Sequence, residues 1–289
     1  MKYGIHLSTF TRSWEEDIFK YVKKVREIGY DSVEFPLMDS ETFDVIKAKK
    51  MLKEYNLMST CGTGMNPVRD ISSTDSAIRG KGIAHLKKCI EICNELESDC
   101  LGGVLYAPWG KCINRTQAKE NIKLSLEALS DMASYAEKSG VVLAIEVLNR
   151  YETYFVNTVH EAKNYLKQIK SPNVKIHFDT FHSHIEEKSM YDALMLGGED
   201  IYHVHFCEND RGIPGTGQVN FEEVKRGLLD INYDRFIVIE NFVMSDCSQG
   251  NDVYIWRNIE ESGLKAAQEG LTFMKKLFEE EGHYERDRS

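Results

Sequence analysis

The chain has 289 residues, 42% hydrophobic and 28% charged, and a formal charge of −10 from 36 basic and 46 acidic side chains. That length buries a large core and suits one big α/β barrel as readily as two smaller domains. The acidic balance repels phosphate backbones and sets nucleic acid aside as a partner. No run reaches the ~18 apolar residues of a membrane span, and MKYGIHLSTF enters a strand with no apolar leader, so the expectation is a soluble, cytoplasmic protein with no membrane partner. The seven cysteines are an odd number without a tight framework. Cys89 and Cys93, four apart on a helical pattern, are expected as reduced core thiols rather than a metal site.

In chain order, short β-rich runs alternate with longer amphipathic stretches. The predicted strands are Tyr3–Leu7, Asp31–Phe35, Leu57–Gly62, Cys100–Tyr106, Val141–Leu148, Val174–Asp179, Ile201–Phe206 and Phe236–Asn241. A first helix is expected over Trp14–Ile28, with Ile18, Tyr21, Val22 and Val25 on one face. Asp75–Leu96 repeats Ile78, Ile83, Leu86, Ile90 and Cys93 at helical spacing. Thr116–Ser139 reads as a helix with Thr116 as its N-cap and Gly140 as its stop. Shorter helices fit Val159–Ile169, Tyr191–Leu196 and Phe221–Leu229, a last long one falls within Glu260–Glu281, and the tail GHYERDRS looks frayed. Eight strands alternating with helices predict a (β/α)8 TIM barrel, taken as one catalytic domain over 1–289. A doubly wound sheet would usually carry a glycine-rich loop after its first strand, and IHLSTFTRSW has no glycine there.

In such a barrel the chemistry sits at the C-terminal strand ends. Strand five (AIEVLNR) places Glu146 there, strand six (KIHFDTFH) Asp179, strand seven (YHVHFCEND) His205 and strand eight (FIVIENF) Glu240. A lone carboxylate among Ile, Val and Phe costs several kcal/mol unless paired or bound to a cation. Three of them with one imidazole form a mixed oxygen and nitrogen set that suits a divalent ion, Mn²⁺, Co²⁺ or Mg²⁺, better than a thiolate zinc site. The competing explanation is a buried salt-bridge cluster with Arg150 or Arg211. Side chains two apart on a strand share a face, so Ala144, His177, His203 and Val238 belong one layer deeper. His203 and His177 become candidates to orient the ligands, with His203 as a direct ligand the alternative for that residue and a satisfied core histidine the expected role of His177.

The runs EVLNRYE (146–152), DTFHSHIEE (179–187), HFCENDR (205–211) and the pair Trp256–Arg257 resemble the ketose 3-epimerases, the D-tagatose and D-psicose (allulose) 3-epimerases of the xylose-isomerase-like TIM barrels. The resemblance extends from the first strand to about residue 275. It implies one divalent ion per chain, Mn²⁺ or Co²⁺ before Mg²⁺, on Glu146, Asp179, His205 and Glu240. Glu146 and Glu240 would be the catalytic pair, interconverting free ketoses (D-fructose/D-psicose, D-tagatose/D-sorbose, L-ribulose/L-xylulose) at C3 through a cis-enediolate. It further implies substrate contacts from Glu152, His182 and Arg211, with Glu152 near O1 or His182, and a homodimer or homotetramer. Trp14 and Trp109, in loops after strands one and four, are expected to shape the pocket.

The sequence departs from the family pattern at His6, where an aromatic is usual, at Asn241 in place of proline, at Gly62-Thr63-Gly64 and at Pro214-Gly215-Thr216-Gly217. His6 is a candidate substrate contact; together these positions bear on which sugar is preferred. Alternatives on the same scaffold are a sugar-phosphate 3-epimerase, a hydroxypyruvate isomerase or an inosose dehydratase. A phosphorylated substrate would call for a basic cluster that is not evident beside Arg211. An endonuclease IV-like nuclease would need more histidine ligands and a basic surface, and a non-catalytic sugar-binding barrel would leave the paired carboxylates unexplained.

Overall fold

The computed structural model describes residues 1–111, 113–169 and 171–279. Eight parallel strands close in chain order: β1 (Lys2–His6), β2 (Ser32–Pro36), β3 (Met58–Met65), β4 (Cys100–Pro108), β5 (Val142–Glu146), β6 (Val174–Asp179), β7 (Ile201–Phe206) and β8 (Phe236–Ile239). Closure runs from Lys2↔Phe236 to Ile5↔Ile239, so the predicted (β/α)8 barrel is the fold.

Parallel strands covered on both faces read as near-continuous apolar runs. Alternate positions Ile5, Val33, Phe35, Leu143, Ile145, Ile176, Phe178, Val204, Phe206, Ile237 and Ile239 are each fully buried. Burying a side chain of this size stabilises by about 1.5–3 kcal/mol. The other set carries polar groups, paired in register as His6↔Glu34, Glu34↔Thr60, Glu146↔His177, His177↔His203 and Asp179↔His205. Two glycines make room among them. A Cβ on Gly62 would sit 3.2 Å from Glu34 Oε1, and one on Gly102 would sit 3.3 Å from His177 Nδ1.

The strand limits differ from expectation where backbone groups leave the ladder. β5 stops at Glu146 rather than Leu148, whose N–H turns to Val156 O at 3.3 Å. β8 stops at Ile239 rather than Asn241, whose N–H donates to Thr9 Oγ1 at 3.2 Å. β3 and β4 run on to Met65 and Pro108 past a register shift between Gly64 and Met65.

The helices are α1 (Val22–Ile28), α2 (Val45–Tyr55), α3 (Ser76–Glu95), α4 (Arg115–Lys138), α5 (Val159–Ile169), α6 (Thr180–Glu186), α7 (Met190–Gly197), α8 (Phe221–Asp230), α9 (Ser248–Asp252) and α10 (Gly263–Glu279). Trp14 lies outside any helix. The expected Trp14–Ile28 segment enters through a 3-10 turn, Ile18–Tyr21, where the Asp17 carboxylate takes the Phe19 N–H at 3.0 Å, and α1 follows. Thr116 lies inside the first turn of α4 rather than capping it. α7 begins at Met190 because Ser189 caps it. α10 begins at Gly263, where a Cβ would clash with the Thr9 carbonyl at 1.8 Å. Residues 280–281 of that predicted helix and the tail fall outside the described residues. Sequence periodicity missed α2, whose buried stripe is only Ala48 and Leu52, and α6, which is two turns long.

Cys61, Cys89, Cys93, Cys100 and Cys207 are buried free thiols, as expected of core cysteines, while Cys247 is half-buried and Cys112 lies outside the described residues. Burial pushes the Cys89 thiol up to about 12. No helix among the described residues is long and apolar enough to cross a membrane.

Candidate active site

Four consecutive strand ends bring Glu146, Asp179, His205 and Glu240 together, with one ligand atom from each lying within 4.8 Å of all the others. Glu146 closes β5, Asp179 closes β6, His205 is the penultimate residue of β7, and Glu240 is the first residue past β8. Asp179 is also the N-cap of α6: its Oδ1 accepts the Phe181 and His182 N–H groups at 2.7 and 3.2 Å. That pair of hydrogen bonds fixes the carboxylate and leaves Oδ2 toward the cluster.

Two observations test whether these residues fit a cation. Asp179 Oδ2 and His205 Nδ1 are both buried without a hydrogen-bond partner among the described residues, although they lie 3.8 Å apart. Such orphaned groups cost about 1–3 kcal/mol each unless something else takes their lone pairs. The carboxyls are also in electrostatic conflict. Burial, then Glu240, push Glu146 well above the usual carboxylate range. Burial would raise Glu240 too, but His205, His6 and Arg211 outweigh it and hold Glu240 at about 2. A divalent ion relieves the like-charge conflict and satisfies both orphans, so this buried cluster is able to bind a metal ion. Arg150 does not enter the cluster; it stands 62% exposed and pairs with Glu186 at 2.8 Å. Arg211 touches only its rim, with Nη1 3.6 Å from Glu240 Oε2.

Above the cluster opens a cavity of about 410 Å³, lined by His6, Trp14, Trp109, Glu152, His182 and Arg211 together with Glu146, His205 and Glu240. Every expected sugar-contacting side chain therefore faces one space. Glu152 takes the Trp109 indole N–H at 2.6 Å, the Asn149 amide at 2.9 Å and Arg211 Nη2 at 3.2 Å. These donors overcome burial and hold its carboxyl at about 2, with Arg211 the largest of the lowering influences. Of the two roles expected for Glu152, near O1 or at His182, its link to His182 runs through Asn149. The Asn149 backbone N–H and side-chain amide approach His182 Nδ1 at 3.2 and 2.8 Å. Nδ1 thus accepts, and Nε2–H faces the pocket, 3.7 Å from Glu146 Oε1.

Arg211 has φ +69° and packs its guanidinium on Phe181 at 3.9 Å. Glu208 organises the loop around it. Its buried carboxylate accepts the N–H groups of Asn209, Gly215, Gln218 and Val219 at 2.8–3.0 Å. The departure at Asn241 also serves this loop: Nδ2 donates to Gly212 O at 2.5 Å, a bond that proline cannot make. His6 is buried, hydrogen-bonds Ser8 Oγ through Nδ1, and stands 3.6 Å from Glu240. Trp14 is held by Asp252, which its Nε1 reaches at 2.9 Å.

One layer down, His177 corrects an expectation. It is 1% exposed, yet neither ring nitrogen makes a hydrogen bond within the described residues, and the nearest carboxylate oxygen is Glu146 Oε2 at 4.0 Å from Nδ1. Burial, then His205 and His203, hold its pKa well below the usual imidazole value. The residue that sequence reasoning missed is Glu34 on β2. It is 1% exposed and accepts His205 Nε2–H at 2.7 Å and the Thr60 hydroxyl at 2.6 Å. His203 Nε2 lies 2.6 Å from its Oε2 but off the line of a hydrogen bond. The signal was present: a single carboxylate inside the apolar strand SVEFP.

Residues 22–277 match the family model of the xylose isomerase-like TIM barrels, and the chain belongs to that family. Within it the chain is 36% identical to a ketose 3-epimerase of Arthrobacter globiformis, covering 92% of this chain and 94% of that one. It is 33% identical to a D-psicose 3-epimerase of Enterocloster bolteae, covering 96% of each. A crystal structure of a D-allulose 3-epimerase from a Methylomonas species in complex with D-allulose superposes with a TM-score of 0.91 at 33% identity, covering 96% of this chain and 97% of that one. The protein is a member of the ketose 3-epimerase family, an isomerase acting as a carbohydrate epimerase.

Proposed function

We propose that this epimerase inverts C3 of free ketoses, with D-psicose/D-fructose, D-tagatose/D-sorbose and L-ribulose/L-xylulose as candidate pairs. The observation that carries the reading is the placement of two carboxylates, the buried Glu146 and the half-buried Glu240, at the floor of one cavity on either side of the strands bearing Asp179 and His205. Epimerisation removes the proton α to the C2 carbonyl and returns one to the opposite face, which calls for two groups able to exchange a proton. Glu146 takes or returns the C3 proton on one face and Glu240 on the other, exchanging acid and base roles with the direction of reaction. A divalent ion, Mn²⁺ or Co²⁺ before Mg²⁺, would be held by Glu146, Asp179, His205 and Glu240 and would supply the Lewis acidity that makes that proton accessible to carboxylate bases. His182 Nε2–H and Arg211 donate to substrate oxygens near O1 to O3, Glu152 fixes Arg211, and the indoles of Trp14 and Trp109 cover apolar faces of the sugar chain.

A free sugar is favoured over a phosphate because Arg211 is the one permanent cation among the described lining residues, and it is engaged by Glu152 and lies near Glu240. The test is a panel of D-fructose, D-psicose, D-tagatose and L-ribulose beside ketose phosphates, on enzyme stripped and reloaded with Mn²⁺ or Co²⁺. The expected result is interconversion of free C3 epimers with solvent deuterium entering at C3. Turnover of the phosphates alone would overturn the reading.

A further inference from the structure

We propose that Glu34 is a positioning residue for the metal centre, holding His205 through its Nε2–H so that Nδ1 stays bare toward Asp179 and Glu240. The inference rests on the reading of the quartet as a cation site. A neutral imidazole carries one proton, and which nitrogen holds it is set by the partner of the other. His205 Nε2 meets Glu34 Oε1 at 2.7 Å. An ionised carboxylate has no proton to give, so Nε2 is the donor, and in the neutral ring that a cation requires Nδ1 is left with its lone pair. Nδ1 has no hydrogen-bond partner of its own among the described residues, and it stands 3.8 Å from Asp179 Oδ2 and 3.6 Å from Glu240 Oε2. Among the described residues no other hydrogen bond to the ring selects its tautomer.

Glu34 is itself over-determined, as a residue that aims another must be. It is anchored on β2 in register with His6 and Thr60. Oε2 takes the Thr60 hydroxyl at 2.6 Å and faces His203 Nε2 at 2.6 Å, while Oε1 lies 4.0 Å from His6 Nε2. Gly62 leaves only enough room for the carboxylate, since a Cβ there would stand 3.2 Å from Oε1. A carboxylate behind a ligating imidazole fixes ring orientation and raises donor basicity, and losing such a partner typically costs about 10- to 100-fold in metal affinity.

The experiment titrates Mn²⁺ by calorimetry into metal-stripped wild type and Glu34→Gln, each checked for folding by circular dichroism. The expected result is 1:1 binding by wild type and a Kd raised about 10- to 100-fold in the variant. Equal Kd values overturn the proposal and leave the metal reading standing. Absence of Mn²⁺ binding by wild type removes the metal reading and this inference with it. A second measurement needs no variant: ¹⁵N spectra of Mg²⁺-loaded wild type should show His205 protonated at Nε2 and bare at Nδ1. A proton on Nδ1 overturns the proposal even if Glu34→Gln fails to fold.

Discussion

The two halves of the barrel divide the work unequally. β5 to β8 carry the four residues whose donor atoms converge. β1 to β4 contribute none of these and instead supply His6, Glu34, Thr60 and the glycines that clear space. One half presents charge and the other sets its geometry. The comparison teaches that closure of the barrel builds the site, because each half leaves buried polar groups that only the other satisfies.

The largest effect expected on breaking this division is at the charged half. Glu146→Gln and Glu240→Gln should each lower sugar-dependent deuterium exchange at C3 by about 10²- to 10⁴-fold or more, the range usual for loss of a general acid or base. Exchange near the wild-type rate in either variant would remove that residue from proton transfer. A smaller loss is expected from Arg211→Ala, which removes a charge-assisted contact worth about 1.5–3 kcal/mol, or roughly 10- to 150-fold in kcat/KM. Its Mn²⁺ stoichiometry should stay at one per chain, and metal loss in that variant would contradict its assignment to the sugar. The smallest effect is expected in the supporting half. Gly102→Ala would press its methyl on His177 Nδ1 and His203 Cδ2, both 3.3 Å from the added Cβ, and should destabilise by about 1–3 kcal/mol in thermal or denaturant unfolding. An unchanged midpoint would show that these histidines have slack.

The same division explains what could be read from sequence. Glu146, Asp179, His205 and Glu240 were legible because each interrupts an apolar strand near its end, at a similar height on four successive strands. Glu34 interrupts SVEFP in the same way, but its partners are 169 and 171 positions away, on β7, and no local pattern ties them. His177 was expected to be satisfied, yet the pleat that places it beneath the quartet surrounds it with imidazoles rather than acceptors. The bridging role of Asn149 between Glu152 and His182 depends on a turn after β5, which alternation alone does not describe. Among the helices, α2 escaped notice because lysines crowd both flanks of its narrow buried stripe.

The Glu34–His205 contact also bears on how the chain reaches its native state. The two residues are 171 positions apart. Until β7 docks, a β1–β4 intermediate that buried Glu34 would leave the Thr60 hydroxyl as its hydrogen-bonding neighbour, at a cost of several kcal/mol. An early half-barrel is therefore penalised at its centre, and collapse that excludes water there is favoured only once strands from both ends of the sequence have met. A contact of such long separation belongs to slow, cooperative closure rather than stepwise growth.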